Sequence, residues 1–497
     1  MNLKRNILAN YISQLYVTLI GIVILPLYIR YMGVEAFGLV GFFATLQAWF
    51  NLLDMGLTPT MARETARYLG GAMNALIYRR LVWALEGVFL TLAILGGGAM
   101  YLSAGHIARD WLQATQLPID EVQTAVQLMA IIVALRWMCG LYRGAISGSE
   151  RLVWLGCYNS LIASLRFIGV LPVLIFIGAS PTLFFSYQFA VAILEVALIM
   201  SQAYRLLPTI PQGKLLPWSW APLKPVLKFS LAYAFTYLVW IIFTQTDKLV
   251  LSKLLPLVDY GYFTLAVLVA SGVTVISGPV SVAIMPRMAK LEAEGNQADL
   301  IRVYRQSTQL VAVIAGAAAI TVAFCAEPLL WAWTGNKILA SQSALILTLY
   351  ALGNGILSVS AFPFYLQYAK GNLRLHLIGN ALFVVLLIPT IIWAASKYGG
   401  VGAGYVWLML NLIYFVAWLP LVHRKFLPGL NLKWYVQDVL VIFGVAAIVG
   451  YLLSSILPHS GSRWWLACAV TGFGLLVMLA SACASSVVRV RFLTSGK

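Results

Sequence analysis

Charge is what this chain has least of. Only 10% of its 497 residues are Asp, Glu, Lys or Arg, against 61% apolar, where a soluble globular domain carries about a quarter charged. A folded monomer of this size needs a wide polar exterior to stay dispersed in water, and the composition holds too little material for one. Soluble enzymes, nucleic-acid readers and disordered scaffolds are excluded. Cysteine is scarce too: Cys139, Cys157, Cys325, Cys468 and Cys483 all fall inside apolar segments, which suggests neither a disulfide framework nor a zinc set. Four scattered histidines (His106, His376, His423, His459) make no metal cluster. No G-x-x-x-x-G-K-[ST] phosphate cradle occurs, so ATP is not used directly by that route.

Long apolar runs fill the space left by these absences. A bilayer crossing takes roughly 20 apolar residues, and hydropathy places spans near 7–29, 38–58, 81–104, 122–146, 153–178 and 182–204. The first has no small-residue cleavage site after a short core and reads as a retained span rather than a signal peptide. Five of the 19 prolines, from Pro208 to Pro225, then mark a break, because proline cannot continue a helix. Further spans follow near 229–251, 260–286, 307–331, 341–368, 375–395, 401–421, 435–457 and 464–487. The chain thus reads as an all-α polytopic membrane protein of fourteen transmembrane helices. Residues 1–206 form an N-lobe of six spans and 207–228 a Pro-rich cytoplasmic linker. Residues 229–425 form a C-lobe of six, and 426–497 carry the last two.

Basic residues outnumber acidic ones 33 to 16, a net charge of +17. Lys and Arg are retained on the cytoplasmic side of short loops. With the N-terminus inside, 24 of the 33 fall in inside segments and six in outside loops, among them Arg30. Fourteen spans then put both termini in the cytoplasm. With Arg143, at the inner end of the span near 122–146, counted among the inside cations, three remain deep in spans: Arg136, Arg166 and Lys248.

The sequence also repeats. At an offset of 223 residues Arg5 meets Lys228, Gly38 meets Gly261, Tyr142 meets Tyr365, Gly148 meets Gly371 and Arg151 meets Arg374. Six spans per copy is even, so the halves share an orientation about an axis along the membrane normal. Polar residues recur on matching helices. Asn6, Asn10, Gln14 and Thr18 share one face of the first span. Tyr233, Tyr237, Trp240, Thr244 and Asp247 line its repeat partner. Asn51, Asp54 and Thr58 coincide under the offset with Thr274, Ser277 and Ser281. Helix-to-helix hydrogen bonding explains such faces; so does a water-filled cavity between the halves, where transport sites lie.

The opening RNILANYISQLYVTLIGIVILPLYIRYMGVEAFGLVGFF, the later TQTDKLVLSKLLPLVDYGYFTLA and PRMAKLEAEGN, and YGGVGAGYVWLM resemble polysaccharide repeat-unit flippases. These are the O-antigen and capsule members of the multidrug, oligosaccharidyl-lipid and polysaccharide (MOP) exporter superfamily. The resemblance covers essentially the whole chain and implies a MATE-like V of two lobes, a cavity open alternately to each side, and the last two helices packed outside. It implies transport of an undecaprenyl-diphosphate-linked oligosaccharide across the bacterial inner membrane, cytoplasmic to periplasmic leaflet. The implied company is membrane lipid and the polymerase and chain-length machinery of polysaccharide assembly. The family has no compact catalytic signature and no cofactor, apart from H+ or Na+ as a coupling ion. A MATE-type drug or cation antiporter and a lipid II-type flippase are the rival transporters. A membrane-embedded polymerase or glycosyltransferase would need a sizeable outside loop, which is missing.

Six ionisable residues lie deep in spans: Glu86, Arg136, Arg166, Glu195, Asp247 and Lys248. An isolated charge there costs roughly 2.5–3.5 kcal/mol on insertion scales, so each needs a partner, water or a task. Arg136 and Arg166 pair with Glu86 or Glu195, or they meet a lipid diphosphate, whose oxygens suit the planar guanidinium fork. Lys248 is a third candidate cation and Arg30, beside Pro26, a candidate gate. Asp247 is the leading carboxylate for ion coupling, with Asp54 and Glu86 behind it. Its rival role is an ion pair with Lys248, though consecutive helical residues point about 100° apart. Asn10, Gln14, Asn51 and Thr274 are candidate cavity-lining groups, and Tyr233, Tyr237 and Trp240 could stack on sugar rings.

Overall fold

A backbone surrounded by hydrocarbon must hydrogen-bond to itself, which leaves helices as the answer for a chain with this hydropathy. The computed structural model describes residues 3–54, 56–209, 223–457 and 461–486. The side chains of 3–11, 223–237, 240, 276–279, 281–283 and 286 lie outside the described residues. Asn10, Tyr233, Tyr237, Trp240, Ser277, Ser281 and most of the proline-rich stretch fall in the undescribed parts.

In chain order the helices begin with α1 (Leu3–Val23), α2 (Leu25–Phe50), α3 (Leu57–Leu69), α4 (Ala75–Leu102) and the one-turn α5 (Ala104–His106). Next come α6 (Ile119–Gly148), α7 (Leu152–Phe167), α8 (Leu171–Phe176), α9 (Pro181–Leu206) and α10 (Leu223–Leu254). They continue with α11 (Leu257–Ala293), α12 (Gln297–Phe324), α13 (Ala326–Thr334), α14 (Lys337–Ser360) and α15 (Phe362–Ala369). The chain closes with α16 (Arg374–Ile413), α17 (Leu419–Phe426), α18 (Asn431–Lys433), α19 (Val441–Ser454) and α20 (Arg463–Ala484). Among the described residues there is no strand, only an isolated bridge between Gln113 and Pro256.

Eleven of the described helical runs are long and apolar enough to cross a membrane, and a shorter apolar one covers Ile12–Val23. The fourteen expected spans are regrouped because helix runs on through some of the expected loops. Residues 374–426 form one 53-residue run, bent at Gly399 (φ 58°, ψ −144°), and α2 runs through Gly33 (φ 85°). Both glycines adopt a left-handed conformation that a β-carbon disfavours. Proline does the reverse, splitting expected spans. Pro26, Pro172 and Pro363 each sit in the first turn of a new helix, where the missing N–H breaks no bond. The span read at 7–29 therefore breaks at Ile24, and the one read at 341–368 breaks at Ala361.

The chain forms two compact units, Met1–Gly261 and Tyr262–Lys497. This division differs from the lobe boundary read at 206 and groups α10 with the first unit. In that unit α6 is central, packed against α3, α4 and α9, while α1 packs on α7 and α10 on α2. The close approach of α6 to α3 has a simple source. Gly140, Gly144 and Gly148 repeat every fourth residue along one face, and a β-carbon on each would collide with Thr58, with its carbonyl and Met61, and with the Ala62 carbonyl and Thr65, respectively. Small residues at this spacing let membrane helices approach backbone to backbone. Gly38 and Gly261, partners under the 223-residue offset, also meet. A β-carbon on Gly38 would strike the Leu257 carbonyl, and one on Gly261 the Val34 carbonyl.

Glu35, 4% exposed, ties down the loop after α5. Its carboxylate accepts from the backbone N–H groups of Thr115, Gln116 and Leu117 at 2.5, 2.9 and 3.2 Å. In the second unit α12 packs against α14, α19 and α20. Buried Asp438 accepts from Arg305 Nε at 2.6 Å, Arg305 Nη2 at 2.8 Å and Gln309 Nε2 at 2.6 Å. Gln309 Oε1 then accepts from Ser485 at 2.7 Å. These bonds fix the last two long helices to α12. Lys370 Nζ donates to Glu292 at 3.0 Å, and Gln297 donates at 2.7 Å.

Replacing Gly144 with Leu should force α3 away from α6 and destabilise the fold by roughly 1–3 kcal/mol, read as a lower melting temperature in detergent. For Glu292, partial burial pushes the carboxyl up, but the hydrogen bonds from Lys370 and Gln297 and the Lys370 charge outweigh it and leave it below its ordinary value. A depressed carboxyl contributes stability above its ordinary range and loses it as pH falls. Lys370→Ala should therefore lower the melting temperature at neutral pH, with the gap to wild type closing between roughly pH 5 and 3.

Candidate functional site

The site grows from three helices that the sequence marks with charges. Arg136 and Arg143 lie seven residues apart on α6, and Gln188 and Glu195 seven apart on α9. Arg136 Nη2 donates to Gln188 Oε1 at 2.7 Å and Arg143 Nη2 to Glu195 Oε1 at 3.3 Å. A constant offset of 52 residues means that α6 and α9 run parallel in matched register. From α7, Arg166 Nη2 donates to Glu195 Oε2 at 2.5 Å, and Arg136 Nε lies 3.4 Å from the same oxygen. Gln188 Nε2 closes the set by donating to the Arg166 carbonyl at 2.8 Å.

One carboxylate thus holds three guanidinium groups. Glu195 is 1% exposed, Arg136 8%, Arg166 23% and Arg143 38%. The three arginines and Glu195 sum formally to +2, and Asp54 on the same cavity wall brings the site to +1, in surroundings where roughly 2.5–3.5 kcal/mol is the insertion cost of a single unpaired charge. The cluster opens into a cavity of about 390 Å³ lined by Asn51, Asp54, Thr58, Pro59, Arg136, Trp137, Gly140, Arg143, Arg166 and Glu195. That volume lies within the ordinary range of small-ligand sites. Two of the lining residues keep a buried donor without a hydrogen bond, Arg166 Nε and Trp137 Nε1. Aromatic rings support the wall. Arg136 sits 5.4 Å from the Phe43 ring centre, and Trp137 stacks on Phe89 at 4.3 Å. Excess positive charge with spare donors in a low-dielectric cavity is an arrangement for binding an anion.

The structure brings together some of the residues picked from sequence and separates others. Arg136, Arg166, Asn51 and Asp54 line one cavity. Asp54 is tied there by Thr58, whose hydroxyl donates at 2.6 Å and backbone N–H at 3.2 Å. Arg136 and Arg166 pair with Glu195 rather than Glu86. Glu86 instead accepts from Tyr204 at 2.8 Å and Tyr142 at 3.2 Å. Lys248 is 3.3 Å from Asp247 and donates to the Thr244 carbonyl at 2.5 Å. The adjacent-residue geometry is overcome because the lysine stem is long enough to curl back. Arg30 and Gln14 are exposed, and Gln14 lends its carbonyl to Thr18 at 2.9 Å. The side of α1 facing α7 carries Ser13 instead, donating to Gly156 at 2.9 Å. Thr274, in the second unit, donates to Ser271 at 2.7 Å.

Arg143 is a site residue that the sequence counts only among the inside cations that set orientation, although its seven-residue spacing puts it on one face of α6 with Arg136.

Comparison with known proteins places this architecture. A family model described as polysaccharide biosynthesis protein matches residues 3–292. A Shigella flexneri protein carrying the provisional designation O-antigen transporter is 20% identical over 407 residues, covering 82% of this chain and 94% of the relative. The Escherichia coli (strain K12) lipid III flippase is 26% identical over 141 residues, 28% of this chain and 32% of that protein. In solved structures, the lipid II flippase MurJ in an inward closed conformation superimposes with a TM-score of 0.74 at 14% identity, covering 98% of this chain and 99% of its own. An inward-facing MATE family multidrug transporter of the MOP superfamily gives 0.66 at 14% identity, with 83% and 96% coverage. With the family model spanning more than half of the sequence and the fold shared with MOP transporters, this chain is a multi-pass membrane protein of the polysaccharide biosynthesis protein family.

Proposed function

We propose that the protein is a flippase that moves an undecaprenyl-diphosphate-linked oligosaccharide, an O-antigen or capsule repeat unit, from the cytoplasmic to the periplasmic leaflet of a bacterial inner membrane. Both termini lie in the cytoplasm. The observation that carries the reading is the cluster of Arg136, Arg143 and Arg166 on Glu195, which leaves a cavity that also holds Asp54 with a net positive lining. A diphosphate brings at least two negative charges and several acceptor oxygens into the membrane and needs cations to receive them. Guanidinium forks do this in pairs of hydrogen bonds. A drug or cation antiporter would repel its cargo from such a cavity. The designations of the O-antigen transporter and lipid III flippase relatives point the same way.

In this reading the diphosphate enters the arginine cavity, the polyprenyl chain stays in lipid, and alternating access carries the headgroup across. Polysaccharide polymerase and chain-length machinery would receive the product. An ion gradient of H+ or Na+ supplies direction, with Asp247, 1% exposed beside Lys248, as the coupling carboxylate. Asp54 and Glu86 are next in line.

Arg136→Ala and Arg166→Ala each leave Glu195 with two cations, so folding survives while a charge-assisted contact to cargo is lost. Periplasmic-leaflet lipid-linked repeat units should fall about tenfold in each, at unchanged protein level. Normal flipping in both would remove the cavity as the headgroup site. Lys248→Ala, by contrast, strips a partner from a buried carboxylate and should lower folded yield. In proteoliposomes, Asp247→Asn should abolish the dependence of transport on an imposed H+ or Na+ gradient. Wild-type transport indifferent to both gradients would end the coupling role.

A further inference from the structure

We propose that Glu195 is an exchangeable internal counterion: it occupies the guanidinium groups of Arg136, Arg143 and Arg166 while the cavity is empty and yields them to the incoming anionic headgroup. This rests on the reading of the cavity as the diphosphate site.

Both Glu195 oxygens are committed, Oε1 to Arg143 at 3.3 Å and Oε2 to Arg166 at 2.5 Å and Arg136 at 3.4 Å. Among the described residues these arginines have no other carboxylate partner. A pair serving the fold alone would match one acid to one base, since the surplus cations remain costly. Three on one makes sense if the acid holds the place of a larger anion. The surplus is matched by two buried donors without a hydrogen bond, Arg166 Nε and Trp137 Nε1. A carboxylate has two oxygens and one charge. A diphosphate has four non-bridging oxygens and at least two charges, enough to engage donors that Glu195 leaves idle.

The exchange answers two demands on a carrier. An empty cavity with three unpaired guanidinium groups, that of Arg136 buried and that of Arg166 largely so, would be unstable, and Glu195 removes most of that penalty. A filled cavity that held its cargo with all three arginines and no competitor would not release it. Glu195 competes for the same donors, so its charge lowers affinity in proportion to what it restores on release. Gln188, fixed between Arg136 and the Arg166 carbonyl, keeps the arginines in place whichever anion they hold.

The test uses the purified full chain in detergent, with undecaprenyl diphosphate and inorganic pyrophosphate as probes in calorimetric titrations. Glu195→Gln keeps the side-chain size but removes the competing charge, and should bind both probes about tenfold more tightly while transport slows at the release step. Glu195→Asp retains the charge and should bind as wild type does. Unchanged or weaker binding by a folded Glu195→Gln variant, with Arg166→Ala still weakening binding, overturns the exchange and leaves the headgroup site standing. Binding that ignores Arg136→Ala and Arg166→Ala overturns both. The unmodified chain gives an independent measurement, by difference infrared spectroscopy as pyrophosphate is added. A change in the carboxylate stretching bands that is absent in Glu195→Asn supports the exchange, and no such change overturns it.

Discussion

Three guanidinium groups meeting one carboxylate in a low-dielectric interior is the constraint on which the first unit depends. The arginines come from α6 and α7 and the acid from α9, so the cluster forms only if all three helices share one register. The two bonds at a constant offset of 52 residues, Arg136 to Gln188 and Arg143 to Glu195, fix α6 and α9 as a parallel pair. The glycines at 140, 144 and 148 let α3 lie against α6, which places Asp54 and Thr58 on the cavity wall beside the arginines. Packing and charge therefore specify the same arrangement, as a sequence with consistent local and global preferences should.

Much of this arrangement was legible in the residues, for a physical reason. Charges are so expensive in hydrocarbon that each one that persists points to a partner or a task, which singles out Arg136, Arg166 and Glu195 at once. Which acid pairs with which base depends on register and helix rotation, set by contacts across hundreds of residues. Hydropathy carries no information on that, so Glu86 and Glu195 read as equal partners in the sequence, whereas in the structure Tyr142 and Tyr204 occupy Glu86. Arg143 was obscured because a cation near a span end reads equally well as an orientation signal or as a side chain turned inward. Helix limits were blurred by single glycines and prolines. Gly33 and Gly399 bend runs that hydropathy divides, and Pro172 and Pro363 open new helices inside runs that hydropathy leaves whole.

The repeat has a structural trace in the glycine pair. Gly38 and Gly261 correspond under the 223-residue offset, and each receives a backbone carbonyl from the neighbourhood of the other, Leu257 and Val34. The polar faces are not equivalent. Asn51 lines the cavity, while its counterpart Thr274 gives its hydroxyl to the Ser271 carbonyl. Asp54 carries a charge where the matching residue, Ser277, is neutral.

The bonds around Asp438 bear on how separable the ends of the chain are. Arg305 and Gln309 of α12 satisfy an acid contributed from beyond residue 430, and Gln309 also receives Ser485 from past the end of α20. A chain ended before Asn431 would leave the half-buried Arg305 without its acid and strip the buried Gln309 amide of its bonds to Asp438 and Ser485. The last two long helices are thus wedged into the second unit by polar contacts and serve as an internal support of α12.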